Sequence, residues 1–215
     1  AIHAHGMSAP ARRLATLAAH MGVSDADDDG SPMGRGAYVR SLPPAGALRI
    51  DHRARGARPP AVPLDTLLQS VGQELGTSGW LEVTQDRVDA FAVVTGDPQW
   101  IHGREAATRG SPFGGPIAHG NLTLCLAYLL SAEATPPVAG AVAGLNYGLN
   151  KVRYPAPLPV GSRVRARVRL VSAKEVPPVP GAARGVETAF GATVEIEGGG
   201  KPACVAELVS RVYVG

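Results

Sequence analysis

Cysteine is scarce. The 215 residues hold two, Cys125 and Cys204, both inside apolar segments and at no spacing that suits a metal. That speaks against a disulfide framework and a cysteine-ligated metal module, and fits a reducing compartment. Aromatic residues are also few, at 5%, so the apolar mass is mostly Ala, Val and Leu. Such a composition suits strands and a small-residue helix better than an aromatic recognition surface. Charge of one sign is nearly absent as a feature: the net value is +3 and spread along the chain. It gives no grip for nucleic acid but tolerates an anionic small molecule. The longest apolar run, Leu122 to Ala132, is about half of what a membrane span needs. No basic start, apolar stretch and small-residue cleavage site occur in order at the N-terminus. The expectation is a soluble, cytoplasmic protein with no membrane or nucleic-acid partner.

What is present is an ordinary globular balance, with 45% apolar and 18% charged residues. Residues 1–64 differ from the rest. They are rich in Pro, Gly, Arg and Asp, with Pro43-Pro44 and Pro59-Pro60 as breakers. They read as an N-terminal extension with one short helix over residues 9–21, and residues 65–215 read as the domain. Leu67, Leu68, Val71 and Leu75 have helical spacing, which predicts a helix over 64–75. A short strand is expected over 80–83. Thr84 then caps a helix running to about Val94, with Asp86 in its first turn and Gly96 at its end. A small helix is expected over 104–108.

After the turn-forming Ser111 to Pro116 comes the run from Leu122 to Leu130, apolar on every side. Its length favours a helix, and such a helix must be surrounded by protein. Alternating segments follow at 142–148, 151–154, 163–173, 185–197 and 203–214. In the third, Arg163, Arg165, Arg167 and Arg169 face one way and Val164, Ala166, Val168 and Leu170 the other. The fold class predicted is α+β: about five antiparallel strands wrapped around one central buried helix.

Asp97 and His102 are the sharpest candidates for chemistry. They bracket Pro98-Gln99-Trp100-Ile101 just past a helix end, a tight excursion on which a carboxylate and an imidazole can hold one water. Taken alone, a helix-stopping Asp and a partly buried His bonded to backbone explain the same residues. Gly120 lies where the apolar helix begins. Helix-initial N–H groups lack internal partners, and glycine allows an oxygen to come close. A carbonyl placed there would be polarised; equally, Pro116 and Gly120 could simply shape the entry to the helix.

Taken together, Phe91-Ala92-Val93-Val94-Thr95-Gly96-Asp97, Ile101-His102 and Pro116-Ile117-Ala118-His119-Gly120 resemble the hydratase signature of MaoC-like proteins. That group includes the (R)-specific enoyl-CoA hydratases. The run Asn146 to Pro157, with Gln99-Trp100-Ile101-His102, resembles more narrowly the NodN-type branch. The resemblance covers about residues 65–215. It implies a hot-dog fold, a homodimer with sites near the subunit interface, and no metal or redox cofactor. The substrate it implies is a 2-enoyl thioester of coenzyme A or an acyl carrier, hydrated reversibly to the 3-hydroxyacyl thioester. By position, Asp97 and His102 match the catalytic pair and Gly120 the oxyanion donor. On this reading Asp97 can take a proton from water, while His102, whose protonated form the nearby carboxylate favours, orients that water and can deliver a proton to the α-carbon. The sequence leaves open which of the two handles which proton. Two positions depart from the family pattern. Tyr128 stands where some hydratases carry an assisting serine, and is a candidate to narrow an acyl pocket. Arg104 stands where an acidic residue often follows the histidine. A thioesterase on the same fold, and a non-catalytic acyl-thioester-binding partner subunit, are the competing functions.

Weaker signals are read as structural. Asp25, Asp27, Asp29 and Gly30 mimic the first half of a calcium loop, but Gly36 replaces its terminal Glu. His119 is expected to orient the turn before Gly120, and Cys125 to be a small core residue. The arginine ladder reads as a solvated strand face more readily than as a contact for carrier phosphates.

Overall fold

The computed structural model describes residues 58–215. The expected helix over 9–21, the acidic loop over 25–36, and His3, His5 and His20 lie outside them. Two units divide the described residues, one built from 83–119 with 159–162, the other from 58–82, 120–158 and 163–215.

In the first unit the helix α2, Gln85–Thr95, forms as its termini dictate. Thr84 is its N-cap, and the hydroxyl accepts from Arg87 N–H at 3.3 Å. Gly96 closes it at φ 67°, a left-handed conformation that glycine adopts without steric cost. Asp97 N–H turns back to the Ala92 carbonyl at 3.2 Å, so the chain leaves the helix in a fixed direction. Two short 3-10 turns follow, Trp100–His102 and Arg104–Ala106. The guanidinium of Arg109 lies 5.0 Å over the Trp100 ring.

The second unit starts with a helix α1, Leu64–Leu68, much shorter than the 64–75 expected. Gly72 turns at φ 85°, and Leu75 belongs to strand β1, Glu74–Thr77. Val71 is exposed rather than packed on a helical face. Val62 is already tied into this unit, donating to the Pro137 carbonyl and accepting from Ala139 N–H. Strand β2 is Leu81–Glu82, and helix α3 is Gly120–Ala134. Four long strands follow: β3 Ala141–Arg153, β4 Arg163–Val176, β5 Arg184–Ile196 and β6 Cys204–Val214. The two segments expected at 142–148 and 151–154 are one strand, interrupted by register shifts.

The pairings among these strands are antiparallel, in the order β1-β4-β5-β6-β3, with β2 also on β4. Helix α3 packs against β1, β4, β5 and β6. Its buried stripe is Leu122, Thr123, Leu126, Ala127, Leu130, Ser131 and Ala134. The cover is not complete, contrary to the expectation from composition: Cys125 is exposed, and Leu124, Tyr128 and Leu129 are half-buried. Cys204 is the buried cysteine, and burial pushes its thiol up to about 11.

Strand β4 alternates as expected, with Val164, Ala166, Val168 and Leu170 buried. Its arginines meet carboxylates: Arg163 with Glu197 at 2.9 Å, Arg165 with Glu195 at 2.8 Å, Arg167 with Glu74 at 2.6 Å. Such pairs at a wet surface contribute little individually. Strand β3 is different. It pairs with β6 along one edge only, and nearly every residue is exposed, including Val142, Leu145, Tyr147 and Leu149. Among the described residues no helix is long and apolar enough to cross a membrane.

Candidate active site

Asp97 and His102 come together, and a third side chain, His119, joins them. One carboxylate oxygen of Asp97 and one ring nitrogen each of His102 and His119 lie within 4.8 Å of one another. Asp97 is exposed, while His102 and His119 are 6% and 3% accessible. The two imidazoles stack, with centroids 3.7 Å apart and planes 26° apart. Phe91 on α2 backs His119 at 5.0 Å.

Each ring is held by a backbone carbonyl. His102 Nδ1 lies 2.7 Å from the Ile117 oxygen. A carbonyl can only accept, so Nδ1 carries the proton and Nε2 is the basic nitrogen of the neutral ring. The same strip is pinned again where Ile117 N–H donates to the Ile101 carbonyl at 3.0 Å. His119 Nε2 donates to the Asp97 carbonyl at 2.9 Å. His119 thus does more than shape the turn before Gly120. It anchors the backbone of the aspartate and forms the floor under the catalytic candidate His102.

Burial changes the expected charge state. It pulls His102 down from the ordinary 6.5 to about 4, outweighing the bond to Ile117 and the attraction of Asp97, while His119 adds to the depression. His119 is lowered for the same principal reason. The nearby carboxylate therefore does not make His102 an imidazolium at neutral pH, as sequence reasoning expected. The cost of desolvating a charged ring is the larger effect.

A polar network supports the loop from below. Gln85 Nε2 donates to Asp89 Oδ1 at 2.7 Å and to the His102 carbonyl at 2.8 Å. Arg104 Nη2 reaches Asp86 Oδ1 at 2.9 Å and Asp89 Oδ2 at 3.2 Å. Asp89 is only 1% exposed, so its carboxylate depends on these donors. Arg104, the departure from the family pattern, is thereby accounted for as the cation for two helix carboxylates. Asp89→Ala should lower unfolding free energy by about 1–3 kcal/mol in urea titrations. A loss within the surface range of about 0.5 kcal/mol would remove the network's structural role. Sequence reasoning passed over Gln85 and Asp89, although their spacing of four on a capped helix was the available signal.

Gly120 is the first residue of α3 and follows His119 directly. The ring of Tyr154 lies against it. Tyr128, further along the helix, lines a cavity of about 210 Å³ with Ser131, Asn146, Phe190 and Leu208. Its hydroxyl donates to the Gly148 carbonyl at 3.3 Å, and partial burial raises its pKa. A carboxylate and two imidazoles are also a usual donor set for a divalent transition metal. Asp97, His102 and His119 would each offer one ligand atom.

The arrangement is an exposed carboxylate beside a neutral imidazole anchored on the Ile117 carbonyl, close enough to share a water. The domain that carries it has recognised relatives. The MaoC like domain matches residues 67–188. Over 145 residues the chain is 45% identical to 3-hydroxyacyl-thioester dehydratase Z of Mycobacterium tuberculosis (strain H37Rv), covering 67% of this chain and 92% of that one. It is 43% identical over 146 residues to Nodulation protein N of Rhizobium leguminosarum bv. viciae, covering 66% and 86%. The MaoC-like dehydratase from Rhodospirillum rubrum superposes with a TM-score of 0.56 at 22% identity, over 72% of this chain and 99% of its own. A Mycobacterium tuberculosis protein with a double hotdog fold superposes at 0.54 and 17% identity, over 72% of this chain and 44% of its own. The fold is the hot-dog fold, and the chain belongs to the MaoC-like dehydratase family.

Proposed function

We propose that the chain is a cytoplasmic hydro-lyase that reversibly adds water to a 2-enoyl thioester, giving the 3-hydroxyacyl thioester, with Asp97 and His102 as the catalytic residues. The observation that carries this reading is the Asp97–His102–His119 cluster, in which His102 Nε2 is left basic beside a carboxylate. Water donates its two hydrogens to Asp97 and to His102 Nε2. Its oxygen bonds to the β-carbon as the C–C π electrons move onto the thioester carbonyl. The Gly120 N–H, at the positive end of α3, holds the resulting enolate oxygen. One proton passes from water to the pair and is returned to the α-carbon, so atoms and charge balance. A His102 that starts neutral cannot be the first proton donor, and its role begins as an acceptor. Tyr128 bounds the acyl chain. No cofactor is required beyond the carrier part of the substrate, and a chelator should leave the rate unchanged.

Crotonyl-CoA tests the reaction. Loss of the conjugated enoyl absorbance without release of free thiol is expected. Thiol release would mean a thioesterase instead, and neither signal, with crotonyl-CoA shown to bind, would mean a binding subunit.

The enzyme works as a homodimer. An edge strand with exposed backbone groups and a row of exposed apolar side chains is a ready pairing surface, and β3 has both features. Leu145→Asp should shift the sedimenting species from dimer to monomer. A monomeric wild type would sink the proposal.

A further inference from the structure

The contact between Tyr154 and Gly120 bears on which substrates fit. A Cβ at position 120 would stand 3.1 Å from Tyr154 Cε2 and 3.3 Å from Cδ2 and Cζ. Carbon atoms prefer about 3.5–4.0 Å, so the ring occupies the space an alanine would need. The absence of a side chain at 120 is therefore matched to the tyrosine ring. In a helix every Cα–Cβ bond tilts toward the N-terminus, the same end at which the first N–H groups lack intrahelical partners. A ring in the Cβ space of a helix-opening residue stands beside the approach to that residue's amide.

Tyr154 is well placed to hold such a position. It follows the end of β3 and precedes Pro155, which restricts its backbone to extended conformations. Its hydroxyl donates to Asn121 Oδ1 at 3.4 Å, tethering the ring to the first turn of α3. Burial raises its pKa, so the hydroxyl stays protonated. The residue is nonetheless 42% exposed, so the ring is covered on the Gly120 side and accessible elsewhere.

We propose that Tyr154 is a specificity-determining residue whose ring closes one flank of the Gly120 amide, restricting the enzyme to 2-enoyl thioesters unbranched at the α-carbon. The inference rests on the hydratase reading above and adds a substrate class to it. With the carbonyl oxygen about 2.9 Å from the amide nitrogen, the α-carbon is one bond from the carbonyl carbon. A methyl group there needs the volume that the ring fills.

The test compares crotonyl-CoA with its 2-methyl analogue, in wild type, Tyr154→Phe and Tyr154→Ala. Because a methyl group also alters intrinsic reactivity, the quantity read is the ratio of kcat/KM for the two substrates, compared between variants. Tyr154→Ala should reduce the preference for crotonyl-CoA by on the order of tenfold, the scale set by one methyl group in a fitted pocket. Tyr154→Phe should keep the wild-type ratio, since the wall is the ring. An unchanged ratio in a folded Tyr154→Ala, with the wild type active, overturns the inference. A wild type inactive on crotonyl-CoA overturns the hydratase reading instead. A second measurement is independent of turnover. Gly120→Ala should lower the melting temperature more in wild type than in Tyr154→Ala. Equal drops would contradict the ring–glycine match from which the inference starts.

Discussion

Asp97→Asn is expected to slow crotonyl-CoA hydration by on the order of a hundredfold or more, and His102→Gln by a similar factor. The expectation comes from geometry rather than from either residue alone. A single water bound between two acceptors loses both its orientation and a proton acceptor when one is replaced. Groups that act as a unit also show non-additive losses. The double variant should therefore lie close to the worse of the two single variants, well short of the product of both effects. Circular dichroism should be unchanged for Asp97→Asn, because the exposed carboxylate is not what holds the loop. The anchors there are the Asp97 carbonyl on His119 and the Ile117 carbonyl on His102. Near-full activity in both single variants would remove the site assignment.

The second large effect concerns acid. His102 has a folded-state pKa of about 4 against an ordinary 6.5, because protonation would place a charge in a buried ring. Below pH 6.5 the unfolded chain therefore binds a proton that the folded chain refuses until about pH 4. Stability contributed by the neutral ring is complete above 6.5 and is lost as pH falls from 6.5 toward 4. The loss is about 3 kcal/mol, and His119, shifted in the same direction, adds to it. Urea midpoints measured from pH 8 to pH 4.5 should fall across the lower half of that range. A ring-proton NMR titration should place the His102 midpoint near 4. A midpoint near 6.5 would mean that burial does not disfavour the charged ring, and the loss of stability in acid would not come from His102.

Features decided by near neighbours in the chain were legible in the sequence, and those decided by distant contacts were not. Thr84, Gly96 and Asp97 fix a helix and its exit through neighbours in the chain, so they were legible, as was the alternation of Arg163 to Leu170. The helix expected to reach Leu75 fails because Gly72 adopts a positive φ, and β1 gains more by pairing with β4 than by continuing the turn. Strand β3 reads as two pieces because Asn146, Gly148 and Asn150 disturb its alternation. Its exposed residues need no such alternation, since neither face is buried in the chain. Asp97 and His102 were visible as a pair because they are five positions apart. The charge state of His102 was not. It depends on burial, and on Ile117 and His119, which come from a later segment. The match between Gly120 and Tyr154 spans 34 positions. No spacing rule links them.

Structure determination of Asp97→Asn with bound crotonyl-CoA addresses the mechanism most directly. The account predicts the thioester oxygen about 2.9 Å from the Gly120 amide nitrogen, and a water touching the side chains at 97 and 102 on the β-carbon side. A thioester bound elsewhere, or a β-carbon facing away from those two side chains, would contradict it.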